Sequence, residues 1–401
     1  MMEKNSKVRK LVMRSTILLL CCGFLACKTS QLSKTVLVKN TLDFSRKEVV
    51  SLKVDQLKPL LKRYTEASIR MRNAKTGEYL VTQWLDSDED GKSDELLFQV
   101  EVNANGTSKY LLLADSTVKP PAVSAMTYSR FVPERTDDYA WENDKVAFRV
   151  YGPDAQQRVE QHRENGTLSS GVDLWLKRTD LPVINKWYKG YLTDPSFYHT
   201  DRGEGYDPYH VGASRGVGGS GIWEGDSLHV SKNFVRYKTI ATGPLRTVFE
   251  LSYAPWSRYQ IRETKRISLD LGSNFSKFDV HFDSDQPIPN YTVGITLHKN
   301  EGEARLERAA GYFWHHEQID GVFLGEGIVL NPATVDTAFV HRSNVPDQSN
   351  LLIAIQPSAK ISYYAGFAWA KSGQVANAAD WDRLLQQQAL RIAQPLVVRL
   401  K

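Results

Sequence analysis

Ile361-Ser-Tyr-Tyr-Ala-Gly-Phe-Ala-Trp-Ala370 is a run of β-branched, aromatic and small residues that ends at the turn signal Ser372-Gly373. This is strand composition, and on a strand successive side chains point to opposite faces. Similar runs recur along the chain: Thr35-Val-Leu-Val-Lys39, Glu78-Tyr-Leu-Val-Thr-Gln-Trp84, Glu95-Leu-Leu-Phe-Gln-Val-Glu-Val102, Lys145-Val-Ala-Phe-Arg-Val-Tyr151, Asp279-Val-His-Phe-Asp283, Tyr291-Thr-Val-Gly-Ile-Thr-Leu-His298 and Leu351-Leu-Ile-Ala-Ile355. They are bounded by Gly, Pro, Asn and Asp, the residues of turns. A helix is signalled over residues 377–391, where Asn377 or Asp380 can cap the first turn. The pattern predicts a mainly β protein: a large antiparallel β-sandwich of stacked sheets, with long loops and one short C-terminal helix.

The N-terminus reads differently. Lys4, Lys7, Arg9, Lys10 and Arg14 precede an apolar run from Ile17 to Ala26, and Phe24-Leu-Ala-Cys27 closes it. Charged region, short apolar region and small-residue cleavage site make residues 1–26 a signal peptide, with Cys27 as the lipidated residue. The apolar run is far shorter than the roughly 20 residues of a membrane-spanning helix, so the lipid at Cys27 would be the anchor. Lys28, Thr29 and Ser30 bring no acidic run, so the expected location is the periplasmic face of a bacterial outer membrane. The expected division is a leader over 1–26, a lipidated tether over 27–34 and one β-sandwich domain over 35–401, with 35–115 a candidate subdomain. Five of the basic residues behind the net charge of +5 lie in the leader, leaving the mature chain near neutrality. Nucleic acid is therefore not an expected partner. Cys21, Cys22 and Cys27 are the three cysteines, so the mature fold has neither a disulfide nor a thiol for catalysis or zinc.

Asp86-Ser-Asp-Glu-Asp-Gly-Lys-Ser-Asp94 sets Asp86, Asp88, Asp90 and Asp94 at alternating loop positions, with Gly91 at the sharp turn. Such spacing suits a structural Ca²⁺, although Leu97 stands where a helical calcium loop has its bidentate Glu. The segment is either a calcium-holding hairpin or a solvated acidic turn.

The densest chemistry runs from Asn185-Lys-Trp-Tyr-Lys-Gly-Tyr191 through Tyr198-His-Thr-Asp-Arg-Gly-Glu-Gly-Tyr-Asp-Pro-Tyr-His-Val-Gly-Ala-Ser-Arg-Gly216 to Trp223-Glu224. Titratable and aromatic residues are interleaved with glycine and lack strand periodicity, as in a long functional loop. His199, Asp201, Glu204, Tyr206, Asp207, Tyr209, His210 and Arg215 can converge there. Gly216-Val-Gly-Gly-Ser-Gly221 lacks the Lys-Ser/Thr ending and the flanking βαβ pattern of a phosphate loop, so no nucleotide or organic cofactor is expected.

Three runs carry a resemblance: Ser170-Gly-Val-Asp-Leu-Trp-Leu-Lys177, Tyr206-Asp-Pro-Tyr-His-Val-Gly-Ala-Ser-Arg-Gly216 and Tyr363-Tyr-Ala-Gly-Phe-Ala-Trp-Ala-Lys-Ser-Gly373. They resemble the family designated domain of unknown function 4861, over most of the mature chain. The resemblance implies an exported polysaccharide-degradation protein of the Bacteroidetes type, found beside pectin- or ulvan-degrading enzymes. It also implies a reaction similar to that of an ulvan oligosaccharide dehydratase, which removes water from a terminal uronic acid to leave an unsaturated sugar. It brings no catalytic residue set with it.

The chemistry of that elimination can be set against the residues. A base takes the C5 proton, a cation or hydrogen-bond donors neutralise the growing enolate, and an acid protonates the departing oxygen. His210 is the expected base, Tyr209 or Tyr206 the proton donor, and Arg215 a bidentate clamp on the carboxylate. Trp187 and Trp223 are candidate sugar platforms, and Tyr188, His199, Asp207, His298, Lys299 and His315 candidate substrate contacts. In Trp314-His-His-Glu317, a strand would send His315 and His316 to opposite faces. One of them, with His298 and either His199 or His210, could complete a metal site of three His and a carboxylate, although no helical His-x-x-x-His spacing supports it. His281 and His341 read as structural or solvent-facing. Two other functions fit the composition: a glycoside hydrolase built on a pair among Glu204, Asp207 and Glu224, and a non-catalytic carbohydrate-binding lipoprotein.

Overall fold

A computed structural model describes residues 33–209 and 211–401. The leader, Cys27 and His210 lie outside the described residues. Eight antiparallel strands form the largest sheet, in the order Phe234–Thr242, Arg246–Tyr253, Arg262–Asp270, Phe275–Asp283, Lys360–Trp369, Val322–Leu330, Tyr312–Ile319 and Glu303–Glu307. Strand alternation divides it into two faces. Phe249, Ile267, Phe278, Tyr363, Phe367, Ile328 and Phe313 turn inward into one buried cluster, shared with two further five-stranded sheets.

One of these runs Gly205–Tyr206, Asp173–Lys177, Ala147–Val150, Asp138–Glu142, Tyr128–Val132. The other runs Ser227–His229, Val217–Glu224, Tyr291–Thr296, Asn350–Ile355, Val335–His341. A lone parallel bridge between Val172 and Gly216 joins their margins. The sandwich is thus an eight-stranded sheet against two smaller sheets, with a seam where all three meet. Fully buried large side chains contribute on the order of 1.5–3 kcal/mol each, so this cluster dominates the fold's stability.

On the outer face the helix Ala378–Ala393 packs Trp381 and Leu385 against Phe275, Tyr312, Trp314 and Phe323. Its cap is the expected one: the Asn377 side chain accepts from the Asp380 amide at 3.1 Å. Close approach requires glycine beneath it, since a Cβ at Gly325 or Gly327 would lie 2.5 Å from Trp381 or Leu385. Leu324-Gly-Glu-Gly-Ile328 therefore gives the helix a smooth surface on one side while turning Glu326 to the other. Residues 33–114, together with the strand Val397–Leu400, have a core of their own. Val49, Leu85 and Leu97 pack with Leu245 and Val248 of the large sheet, and Leu32–Lys401 is one compact unit.

The loop expected after Asn185 is more structured than its composition suggested. Ile184–Tyr191 is a helix, and Trp187 and Tyr188 are buried on it. Val54–Leu61 and Pro153–Glu160 are helices too. Each spans eight residues, too few turns for a legible apolar period. The glycine run forms the strand Val217–Glu224. There a Cβ at Gly218 would lie 2.6 Å from that of Ala365, so glycine here serves sheet-to-sheet contact. Among the described residues no helix is long and apolar enough to cross a membrane.

Candidate functional site

The seam holds a cluster of polar side chains that strand register assembles. His315 and Glu326 face each other across the pair Tyr312–Ile319 and Val322–Leu330, and both turn inward. Glu317, two residues on from His315, shares that face. His298 follows the strand Tyr291–Thr296 with φ +30°, a left-handed conformation unusual for a non-glycine residue. Tyr209 enters from the loop between the smaller sheets and stacks on His298, with ring centroids 4.3 Å apart and planes at 13°.

His298 Nδ1 lies 2.8 Å from Glu317 Oε1, yet off the axis of a hydrogen bond. The Tyr209 hydroxyl donates to the same Glu317 oxygen. His315 Nδ1 lies 3.1 Å from Glu326 Oε2 and its Nε2 lies 2.9 Å from the Glu301 carbonyl. Both of those partners accept, so His315 fits as an imidazolium donating twice. One ligand atom each from His298, Glu317 and Glu326 lies within 4.8 Å of the others. Beside them is a niche of about 10 Å³ lined by Asp173, Tyr209, Ser214, His298 and Glu326 among others.

The charges follow from burial and from these partners. Burial pushes the Glu326 carboxyl above its ordinary range despite the His315 hydrogen bond. Burial would raise Glu317 as well, but His298 and Tyr209 hold it below the usual range. For His298 burial works against the charged form, and the carboxylates of Glu317 and Glu326 outweigh it and raise the imidazole. Tyr209 is driven well above the usual phenol range by burial and by Glu326 and Glu317, so it stays a neutral proton donor at neutral pH.

A second buried cluster adjoins the niche. Arg149 binds Asp173 Oδ2 at 2.6 Å, Asp207 Oδ2 at 2.7 Å and the Tyr198 hydroxyl at 3.0 Å. Asp173 Oδ2 also accepts from the Tyr151 hydroxyl at 3.1 Å. Asp207 passes the link onward, accepting from the Tyr209 amide at 3.0 Å. His199 Nδ1 donates to the Asp207 carbonyl at 2.9 Å, which fixes the tautomer that leaves Nε2 with its lone pair. Burial also lowers the His199 pKa.

The other expected residues are distributed as follows. Tyr206 is buried and donates to Asp320, and Lys299 is exposed beside His298. Arg215 is 2 % exposed, donating to Ser170 Oγ at 3.0 Å and to the Ser220 and Ala213 carbonyls. Among the described residues no carboxylate bonds it, and burial lowers its pKa to about 10. It ties strand ends together and does not line the niche. Trp187 packs on Trp175, and the Tyr188 hydroxyl donates to Asp138 Oδ2 at 3.1 Å; both lie inside the core. Trp223 stands on the other small sheet, edge-on to Phe339 and His341. His316 faces away from His315, stacked against Phe323. Glu204 pairs with Lys186 and Glu224 bonds Tyr259, so with Asp207 on Arg149 the three acids serve separate partners.

Asp86, Asp88, Asp90 and Asp94 lie between the paired strands Thr82–Leu85 and Glu95–Val102, at a hairpin tip. Asp86, Asp88 and Asp94 each bring an oxygen within 4.8 Å of the others, while Asp90 instead contacts Lys92 at 3.3 Å.

Sequence reasoning singled out neither Asp173, Arg149 nor Glu326. Each is a lone charge inside an apolar strand run, as in Phe148-Arg-Val150 and Val172-Asp-Leu174. That signal marks a buried polar role without saying which other strand supplies the partner.

The fold and site define a mainly β protein with a buried acid and histidine niche at a three-sheet seam. Residues 38–398 match the family described as domain of unknown function DUF4861, and the chain belongs to that family. It is similar to the uncharacterized protein P7 of Formosa agariphila, 42% identical over 376 residues covering 92% of this chain and 93% of that protein. Among solved structures it is similar to a glycosyl hydrolase family 38 protein of Enterococcus faecalis, with a TM-score of 0.49, 10% identity and 92% of this chain covered. It is also similar to an alpha-mannosidase of the same organism, with a TM-score of 0.45, 9% identity and 92% of this chain covered. The chain spans about half the length of these two solved structures, 47% and 46%.

Proposed function

We propose that this protein is a carbohydrate-active lyase that removes water from the terminal uronic acid of ulvan- or pectin-type oligosaccharides by β-elimination. The observation that carries the reading is Tyr209: a neutral phenol, bonded to Glu317 and stacked on His298 at the niche. Elimination needs such a donor for the departing 4-oxygen, beside positive charge for the enolate and a base for the C5 proton. The base takes the C5 proton, the C4–O bond breaks as Tyr209 gives its proton to the oxygen that leaves as water, and afterwards Tyr209 is reprotonated from solvent while the base releases its proton there. The base comes from the loop histidines: His210 by its position next to Tyr209, or His199, whose fixed tautomer and lowered pKa keep Nε2 free to accept. With Arg215 enclosed in the fold, His298 and the exposed Lys299 beside it are left to meet the uronate carboxylate. Export and attachment through Cys27 at the periplasmic face of the outer membrane complete the proposal.

The test is ultraviolet absorbance of the unsaturated uronate during incubation with saturated oligosaccharides. Absorbance that grows with the wild type, and is lost in either His210→Ala or His199→Ala, supports elimination and assigns the base. No absorbance with ulvan-type or pectic oligosaccharides, while binding persists, would leave the carbohydrate-binding reading in its place.

A further inference from the structure

We infer that the seam niche is a binding site for one divalent transition-metal ion, Zn²⁺ or Mn²⁺. Its ligands are His298 Nδ1, Glu317 Oε1 and Glu326 Oε1, with the remaining coordination positions left to water and Asp173 on the niche wall beside them. The three first-named residues already bring one ligand atom each within 4.8 Å of the others. Two ligands about 2.1 Å from one ion stand about 3 Å apart in an octahedral site and about 3.4 Å apart in a tetrahedral one, so the 2.8 Å between His298 Nδ1 and Glu317 Oε1 has to widen slightly to admit the ion.

Unpaired atoms mark the site further. Glu326 is 0% exposed and Asp173 is 1% exposed. Among the described residues Glu326 Oε1 and Asp173 Oδ1 have no hydrogen-bond partner, and His298 Nδ1 has only its ion pair with Glu317. All three residues line the niche, whose volume of about 10 Å³ admits a single ion or water. An unpaired buried oxygen is costly, and Glu326, which keeps one beside this small space, gains most from a cation there.

The surroundings are those of a supported site, where ligands are oriented from behind. His315 holds the other oxygen of Glu326, and is itself fixed by the Glu301 carbonyl. Tyr209 holds Glu317, and Arg149 with Tyr151 holds Asp173 Oδ2, leaving Oδ1 free. One imidazole and two carboxylates suit Zn²⁺ or Mn²⁺ better than the all-oxygen ions Ca²⁺ and Mg²⁺. Such an ion would supply the positive charge that Arg215 does not bring to the uronate carboxylate; that role, unlike the site, rests on the elimination reading.

The experiment is metal analysis by plasma mass spectrometry on the purified full chain, incubated with ZnCl₂ or MnCl₂ and desalted, with no saccharide present. The wild type is expected to retain one of the two ions at about one equivalent per chain. Glu326→Gln and His298→Ala should each retain at least roughly tenfold less, while Asp88→Asn at the distant hairpin retains as much as the wild type. Chelation should lower Tm in the wild type but not in Glu326→Gln. Negligible retention of both ions by the wild type, or undiminished retention by both niche variants, would overturn the site. Because no turnover is measured, a metal retained by a protein that fails the absorbance test would refute the lyase reading and leave the site standing.

Discussion

The two faces of the eight-stranded sheet both carry clustered charge, and they treat it in opposite ways. On the outer face lies the larger cavity, about 430 Å³, between the N-terminal module, the sheet and the C-terminal helix. There acids are matched locally: Arg46 to Glu48 at 2.6 Å, Arg246 to Asp270 at 2.8 Å and Lys277 to Asp279 at 2.8 Å. On the inner face the niche is tiny, yet Glu326 and Asp173 each keep an oxygen without a partner among the described residues. The proton affinities diverge accordingly. Asp279 would be raised by burial but is held below its ordinary range by Lys277, whereas burial drives Glu326 and Asp138 upward. Cavity size alone would point to the outer face. Unmet hydrogen-bonding capacity points to the inner one, because exposed ion pairs are mostly worth about 0–1 kcal/mol whereas a buried oxygen left unpaired costs about 1–3 kcal/mol.

The sharpest way to break this contrast is Tyr209→Phe. If the inner face is catalytic, turnover of uronate oligosaccharides falls roughly 10²- to 10⁴-fold with far-ultraviolet circular dichroism unchanged. Lys277→Ala on the outer face should leave turnover intact. Arg149→Met comes next, read by denaturant unfolding. Removing one partner from a buried ion cluster costs roughly 3–5 kcal/mol, against at most about 1 kcal/mol for Lys277→Ala. Equal losses would erase the distinction between the faces.

The pH dependence of stability sharpens the comparison further. Burial raises the Asp138 carboxyl to about 6 from 3.8, against the pull of Arg149 and Arg135. Its contribution is therefore fully present below pH 3.8 and lost as pH rises through about 6. Asp279 has the opposite sign: its contribution is present above its unfolded value and lost as pH falls through the lowered folded one. Chemical denaturation across this range should show Asp138→Asn removing a decline toward high pH, and Asp279→Asn removing a decline toward low pH. The effect least tied to the two faces belongs to the hairpin at Asp86. Calcium at 100 times its Kd would add about 2.7 kcal/mol to a bound loop, raising Tm in the wild type and not in Asp88→Asn. No calcium response in either protein identifies a solvated acidic turn.

The sheets were legible in the sequence because strand alternation is local: the runs at Glu95, Tyr291, Leu351 and Ile361 all became strands. The same rule foretold that His315 and His316 would face opposite ways, though not which of them would turn inward. What lay beyond reach was pairing between distant segments. Asp173 and Glu326 stand on strands of two different sheets and His298 follows a strand of the third, and only the seam brings them together. Arg215 looked like a clamp by residue type, yet the bridge between Val172 and Gly216 buries its neighbourhood. Trp187 looked like a platform and Tyr188 like a substrate contact, but the short helix that carries them turns both into the core.

The most direct measurement is the mass of the product formed from a saturated uronate oligosaccharide by the wild type, Tyr209→Phe and Lys277→Ala. Catalysis at the inner face predicts a product lighter by one water in the wild type and in Lys277→Ala, and its loss in Tyr209→Phe. A product split into two saccharides would contradict the dehydration, and undiminished conversion by Tyr209→Phe would contradict the assignment of the inner face.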